Sequence, residues 1–300
     1  MTAAQGDKRK TIITLLAFLG ILGISSAIAH YAIVALVPTS LYVGTLMMMP
    51  TLAAFLTLKL RGRKIADLPW RWGGHGANWA GYLIPLLYVS IAYGIIWLSG
   101  LGGVGNPETI SEWGQSLGLP EAPTFAVIGL MVVLMAVVQF IKSLGTIAGE
   151  EIGWRGFFVW ELRKLFSFNA TCLISGSVWT VWHYPVIIAY GGGNTLFQLG
   201  CFTVMLIAMS VIMTYYTFKS RSVWPAIMFH GAHNIFLQKI YTPLPLETPS
   251  TPLWADEYGV MIPVVVSLIA AIHQRAWRVI HLKLLITVGI SGIIGSLLGA

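Results

Sequence analysis

Charged residues are scarce in this 300-residue chain. Asp, Glu, Lys and Arg together make up 10% of it, against 56% hydrophobic residues. A soluble domain carries roughly 25% charged residues, so too few are present to coat a water-facing surface of this size. Disorder is excluded by the same shortage. Cysteine is nearly absent: Cys172 and Cys201 form no disulfide framework, and their places near opposite ends of the expected spans argue against a bond between them. What the chain does have is long apolar runs, 12 Trp and 11 Tyr, the aromatics of a membrane interface. The expected class is an all-α, polytopic transmembrane helical bundle.

Runs of about 20 apolar residues mark spans. They fall near 11–36, 39–59, 78–100, 123–148, 171–190, 196–218, 222–241, 258–273 and 283–299, giving about 8–9 crossings. The first is preceded by Lys8, Arg9 and Lys10. It is longer than a signal-peptide core and has no clear cleavage site, so it reads as a span. The net charge of +7 is then topological and not a nucleic-acid footprint. With a cytoplasmic N-terminus, Lys59, Arg61, Arg63, Lys64, Arg71, Arg163, Lys164, Lys219, Arg221, Arg275, Arg278 and Lys283 fall on the inside. Glu108, Glu112, Glu121, Glu247, Asp256 and Glu257 fall outside, as the positive-inside rule requires. Polar segments 101–122 and 242–257 read as ordered or semi-extended external loops. The chain divides into N-terminal helices with their external loop (1–122), a central core (123–241), and a second loop with the C-terminal helices (242–300). Short loops and the lack of a targeting signal suit a bacterial plasma membrane.

One stretch is too long for a single crossing. Thr124–Lys164 reads as helix throughout, about 60 Å at 1.5 Å per residue and twice the hydrocarbon thickness. Gly145, Gly149, Gly153 and Gly156 lie in its second half. A kink, break or dip is expected there, within one net crossing.

Ionisable groups within spans are costly and need a reason. Those here are Glu150, Glu151 and Arg155 in the Gly-rich stretch, His183 in the fifth span, and His230 and His233, with Asn234, in the seventh. Glu151 and Arg155, four apart, share a helix face and can pair. Glu150, turned by about 100°, is left for another task. Taken singly, each has a bland reading: a charge cluster at the cytoplasmic edge, or a buried packing histidine. Taken together they agree in depth. Counted from the basic ends, His183, His230 and Asn234 lie about 13–20 Å in, and Glu150 reaches that level if its helix runs down to Arg163. His230 and Asn234 are four apart and point the same way. His233, three from His230, reads as a helix–helix hydrogen bonder. The three-residue spacing also differs from the four-residue zinc pattern with an intervening glutamate.

That layer suits hydrolysis. Glu150 with His183 could hold and deprotonate a water, and His230 with Asn234 could donate to an oxyanion. No Ser-His-Asp set and no cysteine nucleophile accompany them, so an amide bond attacked by water is the natural reaction. A transporter is the rival class, but it would distribute polar groups through the full depth. A non-catalytic scaffold or self-immunity protein of the same fold is another.

These residues form a pattern: Glu150-Glu151 with Arg155 and Gly156, then an aromatic four residues before His183, then His230 and Asn234. It resembles the three-motif signature of the CAAX protease and bacteriocin-processing intramembrane endopeptidases, which include the type II CAAX prenyl proteases. The second motif usually begins with Phe; here Trp179 stands in that place. The resemblance implies a site inside the bilayer, open toward the cytoplasmic leaflet. In it Glu150 and His183 would activate water, His230 and Asn234 would hold the oxyanion, and Glu151 and Arg155 would brace the first motif. The implied substrate is a peptide or protein, lipidated or not, within the lipid bilayer. No cofactor is expected. The family has also been called metal-dependent, which would make Glu150, His183 and His230 the ligands.

Overall fold

The computed structural model describes residues 3–36 and 38–298, with side chains for 5–36 and 38–279. Its helices run between two ends. They are α1 (Ala3–Tyr31), α2 (Ser40–Leu60), α3 (His75–Leu98), α4 (Pro107–Ser116), α5 (Thr124–Leu134), α6 (Phe140–Glu151), α7 (Val159–Arg163), α8 (Phe168–Tyr190), α9 (Thr195–Ser220), α10 (Trp224–His233), α11 (Thr251–Trp254) and α12 (Met261–Leu298). Among the described residues, six stretches are long and apolar enough to cross a membrane, one of them Thr124–Arg163. Large apolar side chains such as Leu98, Phe125 and Leu196 point outward, the surface of a chain solvated by lipid. This is a multi-pass membrane protein with an all-helical body.

Caps set the turns. Thr39, Asn106, Ser167 and Asn194 each accept a backbone N–H at the start of a helix, satisfying donors that a helix leaves open. Arg221 closes α9 in the left-handed conformation, φ 53°. The connections predicted to carry basic residues gather at one end. There Arg63 pairs with Glu161 at 2.7 Å, Glu161 pairs with Lys164 at 2.7 Å, and Val223 N–H donates to the Pro69 carbonyl. The two acidic loops meet at the other end. β1 (Gly103–Val104) pairs antiparallel with β2 (Pro245–Leu246), and Asn106 N–H donates to the Leu244 carbonyl at 2.8 Å. The first loop also folds helix α4, which a reading as polar loop did not foresee.

The stretch expected to bend is one rod, Thr124–Arg163. It is interrupted by two π-helical turns, Met135–Gln139 and Ile152–Phe158. A π turn adds a residue to the ring and frees or re-aims groups locally. Around the first, the Ala136 carbonyl accepts from the Tyr82 hydroxyl at 2.6 Å. The glycines serve close approach. A Cβ on Gly153 would lie 2.4 Å from the Pro50 carbonyl carbon, and one on Gly149 would lie 2.9 Å from the Met47 carbonyl oxygen. The rod therefore presses on α2 as only glycine permits, and Thr51 Oγ1 donates to the Gly149 carbonyl at 2.7 Å. That contact fixes the height and rotation of Glu150 and Glu151.

Two further expectations change. The seventh span is composite: α10 passes at Asn234 into a further π turn, Asn234–Tyr241. The last two spans, predicted at 258–273 and 283–299, form one helix, Met261–Leu298. No Gly or Pro stands between them to break it. Residue 299 and the side chains past 279 lie outside the described residues.

Candidate active site

The rod, α8 and α10 bring the singled-out residues into one layer. Glu150 and Glu151 end α6 immediately before the second π turn, and Arg155 lies within that turn. Glu151 and Arg155 are fully buried. Arg155 Nη1 is 3.1 Å from both carboxylate oxygens of Glu151, the pairing that the four-residue spacing predicts. Its guanidinium also lies over the Trp179 ring, 4.1 Å from the centroid, a favourable cation–π placement.

Glu151 has a second partner. Its Oε1 is 2.9 Å from His230 Nδ1. Beside an ionised carboxylate, which only accepts, Nδ1 carries the proton and Nε2 is the free nitrogen. The same reasoning applies to His183, whose Nδ1 is 2.8 Å from the Trp179 carbonyl. Both rings are thus held by one nitrogen, with the other left for chemistry. Glu150, 2% exposed, accepts from Trp179 Nε1 at 3.0 Å through its Oε2. Trp179 therefore touches four members of the layer: it holds Glu150, orients His183, supports Arg155, and meets His230 edge-on at 5.3 Å between ring centroids.

A cavity of about 280 Å³ opens on this layer. Glu150, His183, His230 and Asn234 all line it, as do Trp179 and His233. Glu151 and Arg155 lie behind it. His233 bonds through Nδ1 to the buried Tyr88 hydroxyl on α3, the helix–helix role expected of it, while also meeting the cavity wall. Most of the remaining wall is apolar, from Ile33, Leu46, Ile187, Phe202, Met205 and others. Trp182, also in the wall, donates to Ser26 Oγ at 2.8 Å and so ties α8 to α1.

Two lining groups were missed by sequence reasoning. Gln238 lies in the π turn that follows α10, and Glu257 comes from the loop read as plainly external. Gln238 Nε2 donates to Glu257 Oε2 at 3.0 Å. Burial, and then the neighbouring Asp256 charge, push the Glu257 carboxyl above its ordinary range. The loop is pinned: Asp256 N–H donates to the Tyr93 hydroxyl at 3.2 Å, and Glu257 N–H donates to Asp256 Oδ1 at 2.7 Å. The cavity therefore extends from the layer toward the acidic end, past Val43, Val186 and Gln238.

Among the described residues, no three His, Cys, Asp or Glu side chains are grouped to hold a metal ion. Oε2 of Glu150 is already committed to an indole N–H. The chemistry below is derived from the side chains alone.

The Trp179 indole gives a testable contact, because a phenyl ring cannot donate. Trp179→Phe keeps an aromatic ring, with some loss of packing volume, and removes one hydrogen bond to the Glu150 carboxyl, a loss of about 1.5–3 kcal/mol. Turnover should fall about tenfold or more, with little change in KM. Equal turnover in the two proteins would show that the indole N–H does not position Glu150.

Part of the chain is similar to known proteins. Over 159 residues the chain is 26% identical to "CAAX prenyl protease 2" of Methanococcus maripaludis, covering 51% of this chain and 54% of that one. The chain thus spans about half the length of that curated relative. Residues 122–236, which contain every motif residue of the layer, match the family described as type II CAAX prenyl endopeptidase Rce1-like.

Proposed function

We propose that this protein is an intramembrane endopeptidase that cleaves a peptide bond of a CAAX-type or precursor peptide with an activated water. The observation that carries the reading is the shared cavity: Glu150, His183, His230 and Asn234, from three helical segments, line one space. The free Oε1 of Glu150 and Nε2 of His183 would bind the water between them. Glu150 takes a proton as the oxygen attacks the carbonyl carbon, while His183 Nε2 accepts a hydrogen bond from the second hydrogen, which stays on the oxygen, and aims the lone pair. The carbonyl π bond opens and the oxygen becomes an oxyanion. Asn234 Nδ2–H and, in the imidazolium form, His230 Nε2–H donate to it. Glu151 balances the imidazolium charge at Nδ1. When the intermediate collapses, the C–N bond breaks and the amine leaves with the proton held by Glu150. Atoms and charge balance with one water consumed.

The basic end would face the cytoplasm by the asymmetry of its Lys and Arg. The test is hydrolysis of internally quenched peptides by the full chain in proteoliposomes, with products identified by mass spectrometry. Asn234→Ala should lower kcat by about 10²–10³ if it donates to the oxyanion. Intact peptides after prolonged incubation with folded protein would overturn the reading. A drop of less than threefold for Asn234→Ala would remove it from the oxyanion site.

A further inference from the structure

We infer that Glu257 forms a cation-binding subsite of the cavity, so that the preferred substrate presents a Lys or Arg side chain, or a free amine, beside the scissile bond. This rests on the endopeptidase reading for its biological meaning, although the binding itself does not require it.

Charge along the cavity wall carries the inference. The lining contains two carboxylates, Glu150 and Glu257, and neither Lys nor Arg among the described residues. Arg155, the nearest buried cation, lies behind the wall and is committed to Glu151. Lys239 follows Gln238 in the chain but is exposed and outside the lining. A cationic group would meet a carboxylate already fixed in place. Gln238 holds Oε2, the Tyr93 and Asp256 contacts hold the loop, and little ordering entropy is left to lose on binding. The apolar walls lower the effective dielectric and strengthen the pair. The approach is also acidic, since Glu257 lies at the end of the bundle where the two acidic loops join through β1 and β2. Glu150 is spoken for by Trp179 and the water. Glu257 touches the cavity with no part in the hydrolytic layer.

The experiment uses the full chain in vesicles of zwitterionic lipid, so that peptides are not drawn to the bilayer by charge. The probes are quenched peptides, acetylated and amidated, that differ only by Lys, Gln or Glu at one position, scanned along the sequence. At the best position the wild type should favour Lys over Gln at least about tenfold in kcat/KM, the scale of a well-desolvated charge pair. Glu257→Gln should bring that ratio near one, and Glu257→Lys should turn it toward the Glu peptide. Glu247→Gln, an exposed loop acid outside the cavity, should leave the ratio unchanged, which separates local contact from the general field. The same peptides are titrated against Glu150→Gln protein, with and without Glu257→Gln, so that affinity is read without turnover. A wild type indifferent to peptide charge overturns the inference, as does a Lys preference that survives Glu257→Gln. Charge-selective binding with no hydrolysis by any wild-type preparation would instead overturn the endopeptidase reading and leave the subsite standing.

Discussion

Glu150→Gln should leave the protein folded and reduce peptide hydrolysis to background, a loss of at least about 10³-fold. The fold should survive because the amide has the carboxylate's shape. Its oxygen still accepts from Trp179 Nε1, the one hydrogen bond that Glu150 makes to a neighbouring side chain. Removing a charge from a 2% exposed site also relieves a desolvation cost, so thermal stability should be equal or higher. Activity should not survive, because an amide cannot take the proton from water. General-base catalysis accounts for about 10²–10⁴ of a rate, and here the same group returns the proton to the leaving amine. The measurement pairs turnover in proteoliposomes with a melting curve of the same preparation. His183→Ala should also abolish turnover while Glu150 stays in place. Should Glu150→Gln retain a tenth of wild-type turnover, the base lies elsewhere in the cavity.

Much of this arrangement is legible in the sequence, and the physical reason is the bilayer. Apolar runs must be long to cross it, and charges are held to its edges. The basic loops therefore separate from the acidic ones in the sequence as they do at the two ends of the bundle. The same constraint makes Glu150, His183 and His230 conspicuous, and a shared depth was enough to bring them together. Other features left no such mark. A π turn differs from an α turn by one residue in its hydrogen-bonded ring, and Ile152–Phe158 has no composition that announces it. The gap between 258–273 and 283–299 looked like a break because Arg275 and Arg278 interrupt the apolar run, yet charges alone do not end a helix. Glu257 was hidden by its position. Outside a span, an acidic residue costs nothing in the sequence reading, and only the pinned loop turns it into the cavity. The bond from Glu151 to His230 joins residues 79 positions apart, beyond the reach of spacing arguments. Trp179 is the instructive case: the sequence identified the ring, and the structure shows the use of its N–H.

Glu151 should prove as necessary as Glu150, for a different reason that a second substitution exposes. Glu151→Leu removes the charge partner of a fully buried arginine. Arg155 Nε and Nη2 have no hydrogen-bond partner among the described residues, so without Glu151 the guanidinium keeps the Trp179 ring as its main support. Breaking a buried pair in this way costs about 3–5 kcal/mol, a large part of the roughly 5–15 kcal/mol that holds a domain together. The single variant should express poorly and melt early. Adding Arg155→Met removes the stranded charge, and replacing both members of a buried pair by apolar groups is often neutral. The double variant should therefore recover the melting temperature. It should not recover hydrolysis, because His230 Nδ1 has still lost its acceptor and nothing fixes Nε2 toward the substrate oxygen. Stability and turnover measured on wild type, single and double variants would separate the two roles. Rescue of the melting temperature with turnover still depressed by about 10² or more would make Glu151 the residue that positions His230. Rescue of both would reduce it to a structural counter-ion for Arg155.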